Sequence, residues 1–367
     1  MLFFRTGIKW PRIRSRRWGV AAGLLLFGGV FSACSPLYVL RAGYEEAKLL
    51  SRRESIAELV RDSTTAPETR AKLQLVLRAR AFAQDSLALD AGKSYTTFAQ
   101  LDSDTLALIV SAAYKDRFEA YTWWFPIVGN VPYKGYFSEG KANESVASLE
   151  RKGLDTYLRP TAAFSTLGWF NDPLVSALLR YDSVSLAGTV IHELLHNTIY
   201  LSGQAMFNES FAEFVGSRGA IMLFCGGGAL ESSECRRAQA LWADELVFGR
   251  YLSGLVDELE VLYARQDIAT AEKLRLREEI FARSQRSFTE SVRPQLRVSS
   301  YASFAREPLN NALLLSRRLY YHRLDVFDAL FARTGGDLPR TIQLVLEATR
   351  GGGDPYVAVE GLLRGLP

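Results

Sequence analysis

Histidine, cysteine and methionine occur only three times each in the 367 residues of the chain. Three cysteines cannot build a disulfide-rich scaffold, and no CxxC pair exists to seed a cysteine-based zinc module. Long apolar runs are missing too. The stretch from Trp18 to Phe31 is about fourteen residues, too short to cross a hydrocarbon core of ~30 Å comfortably. The formal charge is +4, yet Arg5, Lys9, Arg12, Arg14, Arg16 and Arg17 all precede residue 18 with no acid among them. Removing these six from the 44 cations leaves 38 against 40 anions. Nucleic-acid binding through net charge therefore has no support, because phosphate affinity needs clustered surplus cations. What is present, 48% hydrophobic and 23% charged residues, is the composition of a globular protein with a substantial core.

The basic stretch followed by an apolar run reads as the n- and h-regions of a signal peptide over residues 1–33. Phe31-Ser32-Ala33-Cys34 resembles the lipobox of bacterial lipoproteins. That resemblance implies cleavage before Cys34, diacylation of its thiol and stable membrane attachment through several acyl chains. Ser35 at the next position implies export to the outer membrane, facing the periplasm. The alternative is an uncleaved N-terminal anchor helix. Cys225 and Cys235 remain, with Gly226-Gly227-Gly228 between them. A disulfide closing this small loop would stabilise by roughly 2–3 kcal/mol. Two free thiols are the other reading, since spacing does not say whether their Cβ atoms meet.

Without repeats or low-complexity linkers, residues 34–367 read as a single domain of the α+β class, mainly helical. Apolar residues at helical spacing (Leu49, Leu50, Ile56, Leu59, Val60, then Leu73, Leu75, Val76, Leu77) predict a helical part over about 37–100, broken at Ser63-Thr64-Thr65-Ala66-Pro67. A sheet-containing part over about 105–172 follows, with strands expected at Leu106–Tyr114, Ala120–Val128 and Leu154–Arg159 and a helix from about Ser138 to Lys152. From about residue 173 to the end the pattern is helical and carries the chemistry.

That chemistry centres on His192-Glu193-Leu194-Leu195-His196, an HExxH motif inside an apolar stretch. At 3.6 residues per turn the two imidazoles leave one helix face a turn apart and can share a metal, expected to be one Zn2+ per chain. Glu193 projects from the adjacent flank, where its carboxylate can take a proton from water on the metal. Two of the three histidines fall in this motif, which argues against two unrelated core histidines. A third ligand is needed, and Asn208-Glu209-Ser210-Phe211-Ala212-Glu213 opens a second apolar helix after a short Ser202-Gly203-Gln204 loop, so antiparallel helices would bring Glu209 close.

This segment resembles that of the gluzincin metallopeptidases, including thermolysin-like and aminopeptidase N-like families. The resemblance implies Glu209 as third ligand and Glu213 as an outer partner that orients a metal-binding histidine, and Asn208 is a further candidate for the layer around the ligands. The spacer is shorter than in those families, and Glu213 is the competing ligand. A closer resemblance covers most of the chain: the segments Pro126 to Tyr133, Gly135-Tyr136-Phe137, Ser165 to Pro173, HELLH, FNESFAEFV and Leu309-Asn310-Asn311-Ala312 are similar to a family of predicted bacterial aminopeptidases, often lipoproteins. It implies a zinc peptidase acting on peptides.

Such hydrolysis commonly uses a Tyr or His donor for the developing oxyanion. Tyr136 and Tyr321, with His322 beside the latter, are the candidates because they accompany the family-like segments. The stretch Ser165–Trp169 could pair with a peptide backbone as an edge strand. The GxMEN segment that holds the α-amine in aminopeptidase N-like enzymes is missing; Asp172 and Glu139 are candidate substitutes between which the sequence does not choose, and endopeptidase action is the alternative. The leading expectation is a lipid-anchored zinc peptidase. Its competitors are a non-proteolytic envelope lipoprotein that binds peptides or an assembly partner, and a structural lipoprotein without metal.

Overall fold

The computed structural model describes residues 48–102, 105–125, 129–161 and 171–365. The leader, Cys34 and the Ser165–Trp169 stretch lie outside the described residues. By its contacts the chain divides after Glu46, and every described residue belongs to the unit Ala47–Pro367.

The chain runs through β1 (Glu54–Ser55), α1 (Ile56–Arg61), α2 (Pro67–Asp85) and β2 (Thr97–Ala99), so the helical stretch expected to reach about residue 100 stops at Asp85. Ser55 caps α1 with its hydroxyl, and Pro67 opens α2 at a position where its missing N–H is no loss. Next come β3 (Ala107–Ala113), β4 (Trp123–Phe125), β5 (Gly129–Val131), β6 (Tyr133–Tyr136), α3 (Glu139–Arg151), β7 (Asp155–Thr161) and β8 (Leu174–Val175). Of the strand expected over Ala120–Val128, the described part is only Trp123–Phe125, with an isolated bridge from Ala120 to Ala113. The rest is helical: α4 (Ser183–Thr198), α5 (Ala205–Cys225), α6 (Ser233–Ala264), α7 (Thr270–Ser287), α8 (Ala302–Arg306), α9 (Asn311–Tyr321), α10 (Leu324–Arg333), α11 (Leu338–Thr349) and α12 (Pro355–Gly365). The protein is thus mainly helical with small sheets, an α+β arrangement.

One sheet has the order β1-β2-β8, a second β6-β3-β7, and β4 pairs with β5. The second sheet is antiparallel, with Ser111 opposite both Tyr133 and Tyr157, and Ile109 opposite both Gly135 and Arg159. Successive side chains point to opposite faces, so register sorts the sheet into two surfaces. Leu108, Val110, Ala112, Tyr136 and Leu158 form one surface and pack with Ala142 and Leu149 of α3. Ile109, Ser111, Tyr133, Tyr157 and Arg159 form the other.

Helices α4 and α5 form the centre of the largest core. Leu186, Ala187, Val190, Ile191, Leu194 and Leu195 of α4 are almost wholly buried, and each large aliphatic side chain so buried contributes roughly 1.5–3 kcal/mol. On α5, Phe207, Phe211 and Phe214 follow one helical stripe against Phe327 of α10, with ring centroids 5.2–5.7 Å from it. Glu209, Glu213 and Gly216 follow a second stripe, toward α4. A Cβ on Gly216 would stand 2.8 Å from Gly188 O and 3.1 Å from His192 Cβ, so the absent side chain permits the close approach of the two helices. Cys225 and Cys235 are disulfide-bonded and join the end of α5 to the start of α6.

The Asn310-Asn311 pair binds α9 to the second sheet. Asn310 caps α9 by accepting from Leu313 N and donates to Thr156 O. Asn311, wholly buried, donates to Tyr114 O, accepts from the Tyr263 hydroxyl and gives its backbone N–H to Asp155. Asp155 in turn holds the buried guanidinium of Arg277 at 2.8 Å.

Two outcomes follow. Asn311→Ala strands several buried partners and should lower unfolding free energy by about 3 kcal/mol, measured by urea denaturation. Gly216→Ala should destabilise by roughly 1–3 kcal/mol because helix backbone must move, whereas Gly254→Ala in α6, with nothing within 4 Å of the new Cβ, should be neutral or stabilising by up to about 1 kcal/mol.

Candidate metal centre

Asp182 caps α4 by accepting from Val184 N and Ser185 N, and Arg237 holds its carboxylate, which these contacts, working against burial, draw down to about 2. The apolar residues of α4 turn into the core, which leaves His192, Glu193 and His196 on the side facing α5 and a cleft. The next helix begins after a tight loop that Asn208 braces: its Oδ1 accepts from Leu201 N at 2.9 Å and its Nδ2 donates to Leu201 O at 2.8 Å. Asn208 therefore shapes the loop between the helices, one residue before Glu209.

His192, His196 and Glu209 come together as a buried group whose ligating atoms all lie within 4.8 Å of one another. Glu209 Oε2 is 3.5 Å from His192 Nε2 and 3.8 Å from His196 Nε2. Two atoms bound about 2.1 Å from a tetrahedral ion stand roughly 3.4 Å apart, so the separations suit a metal between them better than direct hydrogen bonds. His192 Nδ1 lies 3.4 Å from Glu213 Oε2, on the ring edge opposite Glu209. His196 Nδ1 is buried without a hydrogen-bond partner among the described residues.

The electrostatics of the group also suit a cation. Burial alone would lower the His192 pKa, but the carboxylates of Glu209 and Glu213 outweigh it and raise it well above the ordinary value. Glu209, despite the opposing effect of burial, is held far below the carboxylate range by the two histidines. Both shifts report one demand, for positive charge between these side chains. Glu193, half-buried and one residue from His192, is raised by burial, with the two histidines pulling the other way. Its carboxylate lines a cleft of about 300 Å3 together with His192, Glu213, Tyr320 and Arg159.

The tyrosines at the centre are not the two singled out from sequence. Tyr136 lies on the α3 face of its sheet, and its hydroxyl donates to Ser145 Oγ at 2.8 Å. Tyr321 packs its ring at 5.0 Å from Phe248 and 6.0 Å from Tyr301. Tyr133, three strand positions from Tyr136 and so on the opposite face, donates to Glu209 Oε1 at 3.4 Å. Tyr320, a 100° helical step from Tyr321, sets its ring centroid 6.2 Å from that of His192. Arg159 Nη2 donates to the Tyr320 hydroxyl at 3.2 Å. His322 is far from this chemistry in character: it accepts from Arg318 Nε, packs on Tyr356, and is lowered to about 4, chiefly by burial. Asp172 is buried and its charge reaches Glu193, while Glu139 is exposed in the first turn of α3.

The fold and this group define a helical α+β protein with a two-histidine, one-glutamate site able to hold a metal. A family model described as "Putative aminopeptidase" matches residues 37–351, and the chain belongs to that family. No curated protein and no solved structure matches the chain.

In a Zn2+ titration against a chelating dye, Glu209→Ala should abolish tight binding. Glu213→Gln, which leaves the three donors but loosens His192, should weaken it by about 10–100-fold.

Proposed function

We propose that the protein is a zinc-dependent peptidase of aminopeptidase type, gluzincin-like in its site and lipid-anchored through Cys34 at the cell envelope. The observation that carries the reading is the buried His192, His196 and Glu209 group, whose His192 lines a cleft that also presents Glu193. Two imidazoles and a carboxylate are a donor set suited to catalytic zinc. Zinc held there would polarise a peptide carbonyl and lower the pKa of water.

The chain's own groups supply the rest. Glu193 accepts a proton from the attacking water, and its burial raises its proton affinity toward that of a useful general base. Glu213 fixes the ring of His192, and Tyr133 holds the second oxygen of Glu209, so that both ligands stay aimed. Because Arg159 donates to the Tyr320 oxygen, the phenolic proton of Tyr320 is free to donate to a developing oxyanion. Burial raises the Tyr320 pKa, which keeps that proton in place at neutral pH.

For location, the support is the leader and Cys34 read from sequence, and the Cys225–Cys235 bond, which suits an oxidising compartment. Among the described residues no helix is long and apolar enough to cross a membrane.

The test uses the soluble form beginning after Cys34. One zinc per chain is expected both there and in Glu193→Gln, with peptide cleavage falling at least a hundredfold in the variant. Acetylating the substrate's α-amine should abolish cleavage if the action is that of an aminopeptidase. Zinc in both forms with cleavage by neither would sink the peptidase reading in favour of a binding role.

A further inference from the structure

Of the basic groups that line the cleft, His192 has carboxylates beside it, whereas Arg159 has no counter-charge within ion-pair distance among the described residues. It sits on β7 opposite Ile109, on the sheet face that carries Tyr133. Its one hydrogen bond among the described residues goes to the Tyr320 hydroxyl, and no carboxylate among them lies within ion-pair distance. The residues that follow it in the chain, 162–170, include no charged side chain. Glu209, whose field reaches it, is already engaged by two histidines. Three other partly buried or buried arginines each have an acid, Arg277 with Asp155, Arg218 with Asp328 and Arg237 with Asp182, while Arg70 and Arg80 spend their donors on backbone carbonyls. A guanidinium has five donors in a fixed fork, and a burial that leaves most of them unmet is costly unless an anion arrives.

We infer that Arg159 anchors a carboxylate of the substrate, which makes the cleft selective for peptides that place a free C-terminus or an acidic side chain on the second residue after the reacting bond. The inference rests on the peptidase reading of the same site. The planar fork matches a carboxylate bidentately, and the donation to Tyr320 occupies only one of its arms. A cleft of about 300 Å3 is at the small end of ligand sites, which suits the end of a short peptide. Tyr320 and Arg159 then act from one side of the cleft, the tyrosine on the reacting carbonyl and the arginine on the carboxylate behind it.

The experiment compares trialanine, its C-terminal amide, and that amide with glutamate at the third position. KM and kcat are measured on the zinc-loaded protein, and binding by calorimetry on zinc-loaded Glu193→Gln, which does not depend on turnover. Trialanine should show a KM and a Kd roughly tenfold or more below those of its amide. Arg159→Met should bring the acid-to-amide ratio to within about threefold, and Arg159→Lys, which keeps the charge but not the fork, should fall between. Loss of the Tyr320 contact slows both substrates together, so the ratio isolates the carboxylate; zinc content and a thermal melt confirm that the variants are folded. Recovery of tight binding by the glutamate amide assigns the anchor to a side chain, and failure of that peptide to recover it assigns the anchor to the C-terminus. Equal binding of acid and amide to the unmodified site, or an undiminished ratio in Arg159→Met, overturns the inference. Acid-selective binding without cleavage of any peptide would overturn the peptidase reading and leave the anchor standing; cleavage without acid preference would do the reverse.

Discussion

The closeness of α4 to α5 is the constraint on which the site depends. Ordinary helix pairs pack with axes 8–10 Å apart, set by the side chains between them. Here the contact is Gly188 against Gly216, where a single added Cβ would meet backbone oxygen at 2.8 Å. Gly216 lies about one turn from Glu213 and two from Glu209 along the same stripe of α5, so the glycine contact and the carboxylate–imidazole distances are one geometry. A metal site tolerates errors of about 0.2 Å in its ligand distances, less than the shift that a methyl group here would force. The aromatic stripe of Phe207, Phe211 and Phe214 against Phe327 fixes α5 from its other side, so the helix cannot roll away from α4 without opening the core.

A second framework brings the groups that surround the donors. The β6-β3-β7 sheet carries Tyr133 and Arg159 on one face, and α9 carries Tyr320 at its end. Sheet and helix meet through Asn310 and Asn311, which satisfy backbone carbonyls of Thr156 and Tyr114, and through Asp155, shared between Asn311 and Arg277. This buried polar network has its members paired, so it sets α9 against β7 in a single arrangement. Asn310 and Asn311 thus act through architecture: they hold the helix whose last turn reaches the cleft.

The group able to hold a metal was legible in the sequence because local spacing determines its geometry. His192 and His196 four apart on a helix, and Glu209 just after a short turn, need no knowledge of the rest of the chain to converge. The tyrosines needed more, because proximity in sequence to a suggestive segment does not specify the face. Tyr133 and Tyr136 differ by an odd number of strand positions, so one faces the donors and the other faces α3; Tyr320 and Tyr321 are separated by 100° of helix. Alternation across Asp155, Tyr157 and Arg159 was readable as one polar face of a strand, and it is the signal that could have pointed to Arg159. Gly188 and Gly216 offered none, since a helical glycine announces close packing only once its neighbour is known. The hydrogen bonds by which Asn208 braces the loop before Glu209 were not readable either, because neighbours in sequence do not reveal them.

The charges of the cleft explain why these pieces must be assembled together. Glu193, Glu209, Glu213 and Glu245 are gathered around two imidazoles, and burial, followed by repulsion from Glu213, pushes the proton affinity of Glu245 far up. With no cation between the donors, His192 is driven toward its protonated form and Glu209 toward its ionised one, each offsetting the other in a region where an isolated ion is costly. A divalent ion held by His192, His196 and Glu209 would supply that positive charge without a proton, with both imidazoles neutral as ligation requires. Under the proposed function, the proton affinity of Glu193, raised by burial, would then be available for a proton from water. Arg159 stands outside this balance, because the acids nearest it already answer to the histidines. Its charge is left for whatever enters the cleft, and by Coulomb's law in a partly desolvated space an incoming carboxylate is drawn to it more strongly than in bulk water.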